Sequence, residues 1–312
     1  MDFPFEKVWN DPILREIGNT PIIAHPENDQ ILGKNERQNP TLSHKDRLGV
    51  GMILGLRNMG ELSKGQRVVE ASSGNTAGGV ALAANRLNHP CTIVMKSSTS
   101  RTKQGFVKSI GAQIINTPDV NHNDNRYYQN VARRYAQEND AVYLNQYERP
   151  LNRLVHFSWT GPELYNQIRG KNITHIVGAV STCGIMSGIA EYIKGEDSSI
   201  QMVAVDGVDS NIHRTFHGKD MGDYNVEIEG LGQWRVTDTA NLDVFDDIMA
   251  ISDTTAIARA KHEAINNGLI MGLSSGAAME VAWRLYEEDS ESKIVFIIHD
   301  GLEKYFDRIY NR

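Results

Sequence analysis

Cysteine is scarce in this chain: Cys91 and Cys183 are the only two among 312 residues. Two thiols make no disulfide framework, and both precede or sit in apolar stretches. A reducing cytoplasm is the expected location. Long apolar runs are missing too. The longest are short, such as Ile294 to Ile298, against the ~20 apolar residues of a membrane-crossing helix. The opening Met1-Asp2-Phe3-Pro4-Phe5-Glu6 has neither a basic stretch nor an apolar one behind it, so no secretory signal is read there. Excess positive charge is also lacking. Lys and Arg number 32 against 39 Asp and Glu, a net charge of −7. Nucleic acid, which selects clustered basic residues, is not an expected partner, and neither is a membrane. No repeat, low-complexity tract or obvious linker interrupts the chain.

What is present is ordinary for a globular protein: 40% hydrophobic and 23% charged residues. The length permits one large domain or two modest ones with a sizeable core. Short β-branched runs at 67–69, 92–95, 113–115, 142–144, 175–177, 202–205 and 294–298 read as strands. Amphipathic stretches at 47–59, 76–87, 102–110, 126–138, 156–168, 185–193, 254–266 and 277–288 read as helices between them. The polar segment His122 to Asn125 reads as a loop. Such alternation predicts parallel sheets covered by helices, an α/β class. Ligands in these folds sit at the carboxyl ends of strands, beside helix N-termini.

Four turns stand at such places. Asn39-Pro40-Thr41-Leu42-Ser43-His44-Lys45-Asp46-Arg47 precedes a helix. A lysine at a helix start feels a positive field, which lowers its pKa and helps it react as a free base. An exposed charged helix start would look the same. Glu70-Ala71-Ser72-Ser73-Gly74-Asn75-Thr76 follows a strand and opens a helix of small residues. Its amides and hydroxyls suit a carboxylate or phosphate, or its serines simply cap the helix. Gly178-Ala179-Val180-Ser181-Thr182-Cys183-Gly184-Ile185-Met186-Ser187-Gly188 reads as a phosphate cradle. It lacks the Gly-Lys-Ser/Thr of a Walker loop and the Gly-x-Gly-x-x-Gly of a dinucleotide fingerprint. Gly49-Val50-Gly51 lies in a helical stretch and is discounted.

The fourth turn, Gly272-Leu273-Ser274-Ser275-Gly276, contains Gly-x-Ser-x-Gly, the nucleophile elbow of serine hydrolases. That reading needs an acid and then a histidine downstream. His299 and Asp300 follow in the wrong order with little chain left. His213 and His217 form a His-x-x-x-His pair with no third ligand nearby. They read as two solvated loop histidines, and no metal is expected.

Together, in this order and spacing, the turns resemble the cysteine synthase (O-acetylserine sulfhydrylase) family of the tryptophan-synthase-β-like, fold-type II pyridoxal-phosphate enzymes. The similarity spans nearly the whole chain. It includes Ile17-Gly18-Asn19-Thr20-Pro21, Leu144-Asn145-Gln146-Tyr147, Thr160-Gly161-Pro162-Glu163, Val203-Ala204-Val205-Asp206, Gly230-Leu231-Gly232 and Gly301-Leu302-Glu303-Lys304-Tyr305. The resemblance implies pyridoxal 5'-phosphate held as an imine on Lys45, with Asn75 beside the ring hydroxyl. It implies that Ser181, Thr182, Cys183, Gly184 and Ile185 hold the cofactor phosphate and that Ser274 faces the pyridine nitrogen. It gives Ser72, Ser73, Gly74, Asn75, Thr76 and Gln146 to the substrate carboxylate, and Gly230 to a backbone position lining the site. The implied reaction is β-replacement on O-acetylserine or O-phosphoserine through an aminoacrylate intermediate. A hydroxyl at the pyridine nitrogen leaves it largely unprotonated, a weaker electron sink that favours prompt loss of the β-leaving group. Lys45, once released, is the general base for the α-proton.

The implied architecture is two three-layer α/β/α domains with mostly parallel sheets and the cofactor in the cleft between them. The expected division is a smaller, mobile domain of 35–150 with 1–10, and a larger cofactor-anchoring domain of 151–312 with 11–34 crossing over. A homodimer is implied as well. Docking of an acetyltransferase partner is left open.

The chain departs from the family in places. The usual Gly-Thr-Gly-Gly-Thr is Ser181-Thr182-Cys183-Gly184-Ile185, and Ser72 replaces a common threonine. Gln233-Trp234-Arg235 stands where smaller residues are usual. These changes are similar to branches that make diaminopropionate precursors from phosphoserine and an amino-acid nucleophile. Arg235 or Arg101 is the expected partner of an anionic group, unless both are surface charges. Cys183 reads as a small packed residue rather than a nucleophile. The alternatives are a serine/threonine lyase and a non-catalytic binding protein on the same scaffold. Intact Lys45, Asn75 and Ser274 argue against the last.

Overall fold

The computed structural model describes Val8, residues 10–306 and Ile309. The chain divides into two compact units, one built from residues up to Gly18 with Asn39–Val155, the other from Asn19–Gln38 with His156 onward. The segment that joins the later unit is therefore 19–38, not 11–34, and the second boundary falls after Val155, not at 150. Most of the expected 1–10 portion lies outside the described residues.

First along the chain are β1 (Ile22–His25) and β2 (Asn28–Asn35), an antiparallel pair of the second unit. The first unit then runs through α1 (Lys45–Asn58), β3 (Val68–Ala71), α2 (Asn75–Arg86), β4 (Cys91–Lys96) and α3 (Arg101–Ser109). It ends with β5 (Gln113–Thr117), α4 (Tyr128–Glu138), β6 (Val142–Tyr143) and α5 (Leu151–Val155). Its four strands lie in the order β5-β4-β3-β6, all parallel. Every residue of β3 is buried, as expected for a central parallel strand covered on both faces. Val69, Ala71, Val94 and Tyr143 pack one face against Tyr128, Ala132 and Ala136 of α4. By the alternation of a strand, Val68 and Glu70 point to the other face.

The second unit continues through a π turn, His156–Thr160, into α6 (Gly161–Ile168), then β7 (His175–Ala179) and α7 (Gly184–Glu196). The helix expected at 156–168 is thus broken near its start. Pro162 has no N–H to donate and its ring crowds the preceding turn. There follow β8 (Gln201–Gly207), α8 (Asn211–Phe216), β9 (Asp247–Ile251), α9 (Asp253–Asn267), α10 (Leu273–Glu288) and β10 (Ile294–Ile298). The six strands lie in the order β1-β2-β10-β7-β8-β9, parallel except for β1. Alternate residues feed two cores. Val177, Val203, Val205 and Phe296 meet Ala277, Ala278 and Val281 of α10. Ile176, Ala204, Val295 and Ile297 meet Ile185, Met186 and Ile189 of α7. Each unit is an α/β domain whose parallel strands aim their carboxyl ends at loops leading into helices. Among the described residues, no helix is long and apolar enough to cross a membrane.

Candidate active site

In the first unit, Lys45 is the first residue of α1 and is half-buried. The turn before it closes on itself. Thr41 donates its backbone N–H to Asp46 Oδ2 at 2.6 Å and its hydroxyl to Asp46 Oδ1. Asp46 is fully buried in the first helical turn, where a negative charge meets the positive end of the helix dipole. Asn39 accepts the Gly18 N–H at 2.9 Å, and the Lys45 N–H donates to Ser43 Oγ at 3.3 Å.

Two glycines bring this helix start against α2. A methyl placed on Gly49 would lie 2.3 Å from the Gly79 carbonyl oxygen, and one on Gly79 would lie 2.2 Å from that of Lys45. Only hydrogen side chains permit two helix backbones so near each other. One turn before Gly79, α2 begins at the 72–76 loop.

That loop is tied down internally. Ser72 Oγ accepts the Gly74 N–H at 3.2 Å and Ser73 Oγ accepts the Lys96 N–H at 3.2 Å. The Thr76 hydroxyl donates to Gln146 Oε1 at 2.7 Å, and Gln146 Nε2 donates to the Ala71 carbonyl at 3.3 Å. Asn75 is the first residue of α2, and the capping position is Gly74, with no side-chain cap. The serines therefore do not cap this helix. The starts of α1, α7 and α10 also lack a side-chain cap, as do α4 and α6. By contrast, Ser100, Ser210 and Ser252 close α3, α8 and α9. An uncapped helix start directs its first N–H groups at whatever anion approaches.

In the second unit, Ser181-Thr182-Cys183 links β7 to α7, and Gly184 and Ile185 open that helix. Cys183 is buried in the left-handed conformation, φ +61°, where the family carries glycine. Its side chain is packed, as the sequence reading held. The Thr182 carbonyl is taken by the hydroxyls of Thr237, at 2.8 Å, and Thr239. Neither threonine was singled out from sequence, since no motif marks a hydroxyl ~55 residues downstream. The Gly232 N–H donates to the Val180 carbonyl at 2.7 Å, which sets the 230–232 turn beside the loop. Gly230 has φ +84°, and a methyl there would lie 3.6 Å from Ser274 Oγ. Ser274 is a buried residue of the first turn of α10.

The hydrolase pattern fails on geometry. His299 Nε2 accepts the Ala179 N–H at 3.0 Å, and Ser275 Oγ accepts the backbone N–H of His299 at 2.8 Å. The ring nitrogen of a triad histidine would instead face a hydroxyl. Asp300 serves packing: a methyl on Gly272 would fall 1.9 Å from its Oδ1, and Tyr305 donates to its Oδ2 at 2.5 Å. His213 and His217 are not both loop residues. His213 lies within α8, half-buried, and the centres of the two rings lie 4.4 Å apart with their planes tilted by 60°.

The residues fit pyridoxal phosphate on three observations. Thr237 and Thr239 hold the Thr182 carbonyl, leaving the amide edge of the loop at the α7 start for a phosphate. Gly230 keeps open a space beside Ser274 that a methyl would fill. Ser274, the residue expected at the ring nitrogen, is buried and brings a hydroxyl to that space. Within each unit the expected site residues converge: Lys45, 72–76 and Gln146 in one, and 181–185, Gly230 and Ser274 in the other. Arg101 is exposed at the first position of α3. Arg235 is not a bare surface charge; its guanidinium lies 5.4 Å from the Trp234 ring centre and 3.6 Å from Asp238.

One further group was passed over in the sequence. Glu70, just before the 72–76 loop, is almost completely buried. Its Oε1 accepts the Ala71 N–H at 3.0 Å, while Oε2 has no hydrogen-bond partner. Burial pushes this carboxyl up to about 8. The N–H groups of Ala71, Gln146 and Asn145 and the charge of Lys45 offset only part of that cost.

The sequence profile of the pyridoxal-phosphate dependent enzymes matches residues 13–300. A cysteine synthase of Buchnera aphidicola is 32% identical over 96% of this chain and 96% of its own length. The crystal structure of a cysteine synthase from Entamoeba histolytica matches with a TM-score of 0.87 at 27% identity, covering 100% of this chain and 94% of that one. An O-ureido-L-serine synthase structure matches with a TM-score of 0.87 over 94% of this chain and 92% of that one. At 24% identity, that last match is a likeness of fold.

Proposed function

This chain belongs to the family of pyridoxal-phosphate dependent enzymes and is cysteine synthase-like, and from that premise we propose that it replaces the leaving group on the β-carbon of an O-activated L-serine, with Lys45 as the residue that carries the cofactor. The observation behind this reading is the packing of the Lys45 helix start against α2, whose uncapped beginning holds the 72–76 loop. When bound, pyridoxal 5'-phosphate acidifies the α-proton of an amino acid and so labilises its β-substituent. The chain's own residues do the rest. The amides of 72–76, with Ser72, Ser73, Asn75, Thr76 and Gln146, bind the α-carboxylate. The amides of Ser181 to Ile185 bind the cofactor phosphate, and Ser274 meets the ring nitrogen. Lys45 Nζ takes the α-proton and returns it at the end of the cycle.

Borohydride reduction followed by peptide mapping tests the premise. The reduced cofactor is expected on Lys45, and Lys45→Ala is expected to lose ~10³-fold or more in kcat. Label on another residue, or on none, would refute the assignment.

The second substrate follows from the departures at 233–235. Arg235, whose guanidinium lies over the Trp234 ring and beside Asp238, carries the flat set of donors that suits a phosphate or carboxylate. In the proposed reaction O-phosphoserine is preferred to O-acetylserine, and an amino-acid nucleophile competes with sulfide. Rates with both serine esters, and trapping with sulfide, glutamate and amines read by mass spectrometry, decide this. Equal rates, unchanged in Arg235→Ala, would remove Arg235 from the scheme. Pyruvate formed without any nucleophile would mark a lyase. The working form is proposed to be a cytoplasmic homodimer, a point for light scattering and cell fractionation.

A further inference from the structure

We propose that Lys96 sets the leaving-group preference of this enzyme: its ammonium receives the phosphate of O-phosphoserine while the 72–76 loop holds the α-carboxylate. This rests on the assignment of Lys45 and of the loop given above, and adds a second anion site within the same unit.

Lys96 is the last residue of β4, at the carboxyl end of the strand. The pairing with β3 runs on past Ala71, where the Ser72 N–H donates to the Val94 carbonyl at 3.0 Å. Beyond that, Ser73 Oγ accepts the Lys96 N–H at 3.2 Å, so Lys96 stands beside the carboxylate loop. By the alternation of a strand its side chain follows that of Val94 to the face covered by α4. There the ammonium nitrogen lies 5.8 Å from the centre of the Tyr128 ring. The Tyr128 and Tyr147 hydroxyls meet at 3.0 Å. Tyr147 follows Gln146, whose Oε1 accepts the Thr76 hydroxyl. The contacts thus form a circuit, from Ser73 through Lys96, Tyr128, Tyr147 and Gln146 back to Thr76. A lysine on that circuit has the flexible stem needed to bring its charge to a group bound beside the loop.

Among the described residues, no carboxylate forms an ion pair with the Lys96 ammonium and no oxygen accepts a hydrogen bond from it. Other cations of the unit are matched: Arg86 with Asp11, Arg126 with Asp124, Arg133 with Glu148 and Arg149 with Glu61. Asp119 lies two residues past Thr117, the partner of Lys96 in β5, but both its oxygens accept from Ser98, at 3.1 and 2.6 Å. The Tyr128 ring face offsets part of the cost of a half-buried charge; a counter-ion would offset more. The 72–76 loop and Gln146 hold no charged side chain, and their amides and hydroxyls at an uncapped helix start suffice for a carboxylate. An acetyl ester would set a neutral group against the ammonium. A phosphate supplies the counter-charge, in a chain whose net charge of −7 otherwise repels it.

The test uses the holoenzyme mixed with O-phosphoserine or O-acetylserine and no nucleophile, and reads the second-order rate constant of the cofactor's absorbance change. Lys96→Met keeps the bulk of the stem without its charge. It should lower the constant for O-phosphoserine ~10-fold or more and that for O-acetylserine by no more than about 2-fold. Lys96→Arg should recover most of the loss, a rescue that a purely structural role would not favour for one ester over the other. In wild type, inorganic phosphate should compete with O-phosphoserine, and potassium chloride should slow O-phosphoserine more than O-acetylserine; Lys96→Met should lose both effects. Equal losses for the two esters would mean that Lys96 serves only the shared carboxylate or the fold, and would overturn the proposal, as would an unchanged ratio. A coloured wild type that responds to O-acetylserine, yet neither responds to O-phosphoserine nor is inhibited by phosphate, would overturn it while leaving β-replacement at Lys45 intact, even if a variant fails to fold. A colourless wild type would refute the Lys45 assignment and this extension with it.

Discussion

Gly79 lies directly against the backbone of Lys45: a methyl on Gly79 would be 2.2 Å from the Lys45 carbonyl oxygen and 2.9 Å from the Asp46 nitrogen. These are backbone atoms at the start of a helix, and they cannot swing aside as a side chain could. Gly79→Ala is therefore expected to cost at least ~2 kcal/mol of stability and to move Lys45 relative to the 72–76 loop. Gly105 of α3 is the control, since a methyl there meets nothing within 4 Å. Gly105→Ala should stabilise by ~0.5–1 kcal/mol through helix propensity and reduced chain entropy. Urea unfolding of both variants, with cofactor absorbance, checks the pair. A fully stable, coloured Gly79→Ala would contradict the close crossing.

Glu70 also gives a stability profile with a definite sign. Its carboxyl titrates near 8 in the folded chain against an ordinary 4.5. The raised folded value means that the folded state holds this proton more tightly. Its contribution is fully present below about pH 4.5, is lost progressively as pH rises toward 8, and is level above that. Glu70→Gln removes the titration, so its stability should not decline across that window on this account. By pH 8 the variant should exceed wild type by on the order of 2–4 kcal/mol. Denaturant midpoints measured between pH 5 and 9 test this, and parallel curves for the two proteins would refute the buried neutral acid.

Much of the architecture was readable because hydrophobic strands are short, apolar and flanked by turns. Ile294–Ile298, buried at every position, is the plainest case. The strands Asn28–Asn35 and Asp247–Ile251 were not readable for the same reason in reverse. The first opens on Asn-Asp-Gln, and the second begins with an acid and alternates only weakly. Their pairing with β10 and β8 supplies what their sequences do not announce. The boundary between units was misplaced because 19–38 carries no linker composition; its membership follows from packing, including the pairing of β2 with β10. At the site, hydroxyl-rich turns after strands mark themselves. Thr237, Thr239 and Glu70 do not, because each acts through a contact distant in sequence or through burial, which a single chain of letters does not display.

Thr76 and Gln146 test the carboxylate loop. Thr76→Val keeps the shape but removes the hydroxyl that donates to Gln146 Oε1 at 2.7 Å. The amide oxygen is then left buried without that donor, a loss of ~1–3 kcal/mol. If 72–76 binds the α-carboxylate, KM for the amino acid should rise ~10-fold or more while cofactor absorbance is retained. Gln146→Ala should act in the same direction, and the double variant should fall short of the product of the two effects, because the residues share one hydrogen bond. Fully multiplicative losses would show that the two act separately.

Cys183 sets two effects against each other. Its left-handed backbone costs a non-glycine residue ~1 kcal/mol, which Cys183→Gly recovers. Its side chain is 2% exposed within the α7 core, and deleting it forfeits a comparable burial and leaves a small void. The net change in stability should stay within ~1 kcal/mol. Cofactor affinity should be kept, because the loop's amides remain where the Thr237 and Thr239 hydroxyls set them. Calorimetry and cofactor titration measure both. Complete inactivation by Cys183→Gly, with cofactor still bound, would instead make the thiol a chemical participant.

Gly230 and Gly232 separate backbone strain from occupation of the cofactor space. Both have positive φ, +84° and +75°, so alanine at either is strained by ~1–2 kcal/mol. A methyl on Gly232 would meet Ser210 and Val226 at 3.1 Å, within the protein's own packing. A methyl on Gly230 would point into the space beside Ser274, with Ser274 Oγ its nearest neighbour at 3.6 Å. Gly232→Ala should therefore lower the melting temperature yet bind pyridoxal phosphate nearly as wild type does. Gly230→Ala should lose little more in melting temperature and bind the cofactor ~10-fold or more weakly, because the added methyl competes for the volume the ring requires. Equilibrium titration followed by the cofactor's absorbance distinguishes the two, and equal affinities would mean that the space beside Ser274 is not where the ring lies.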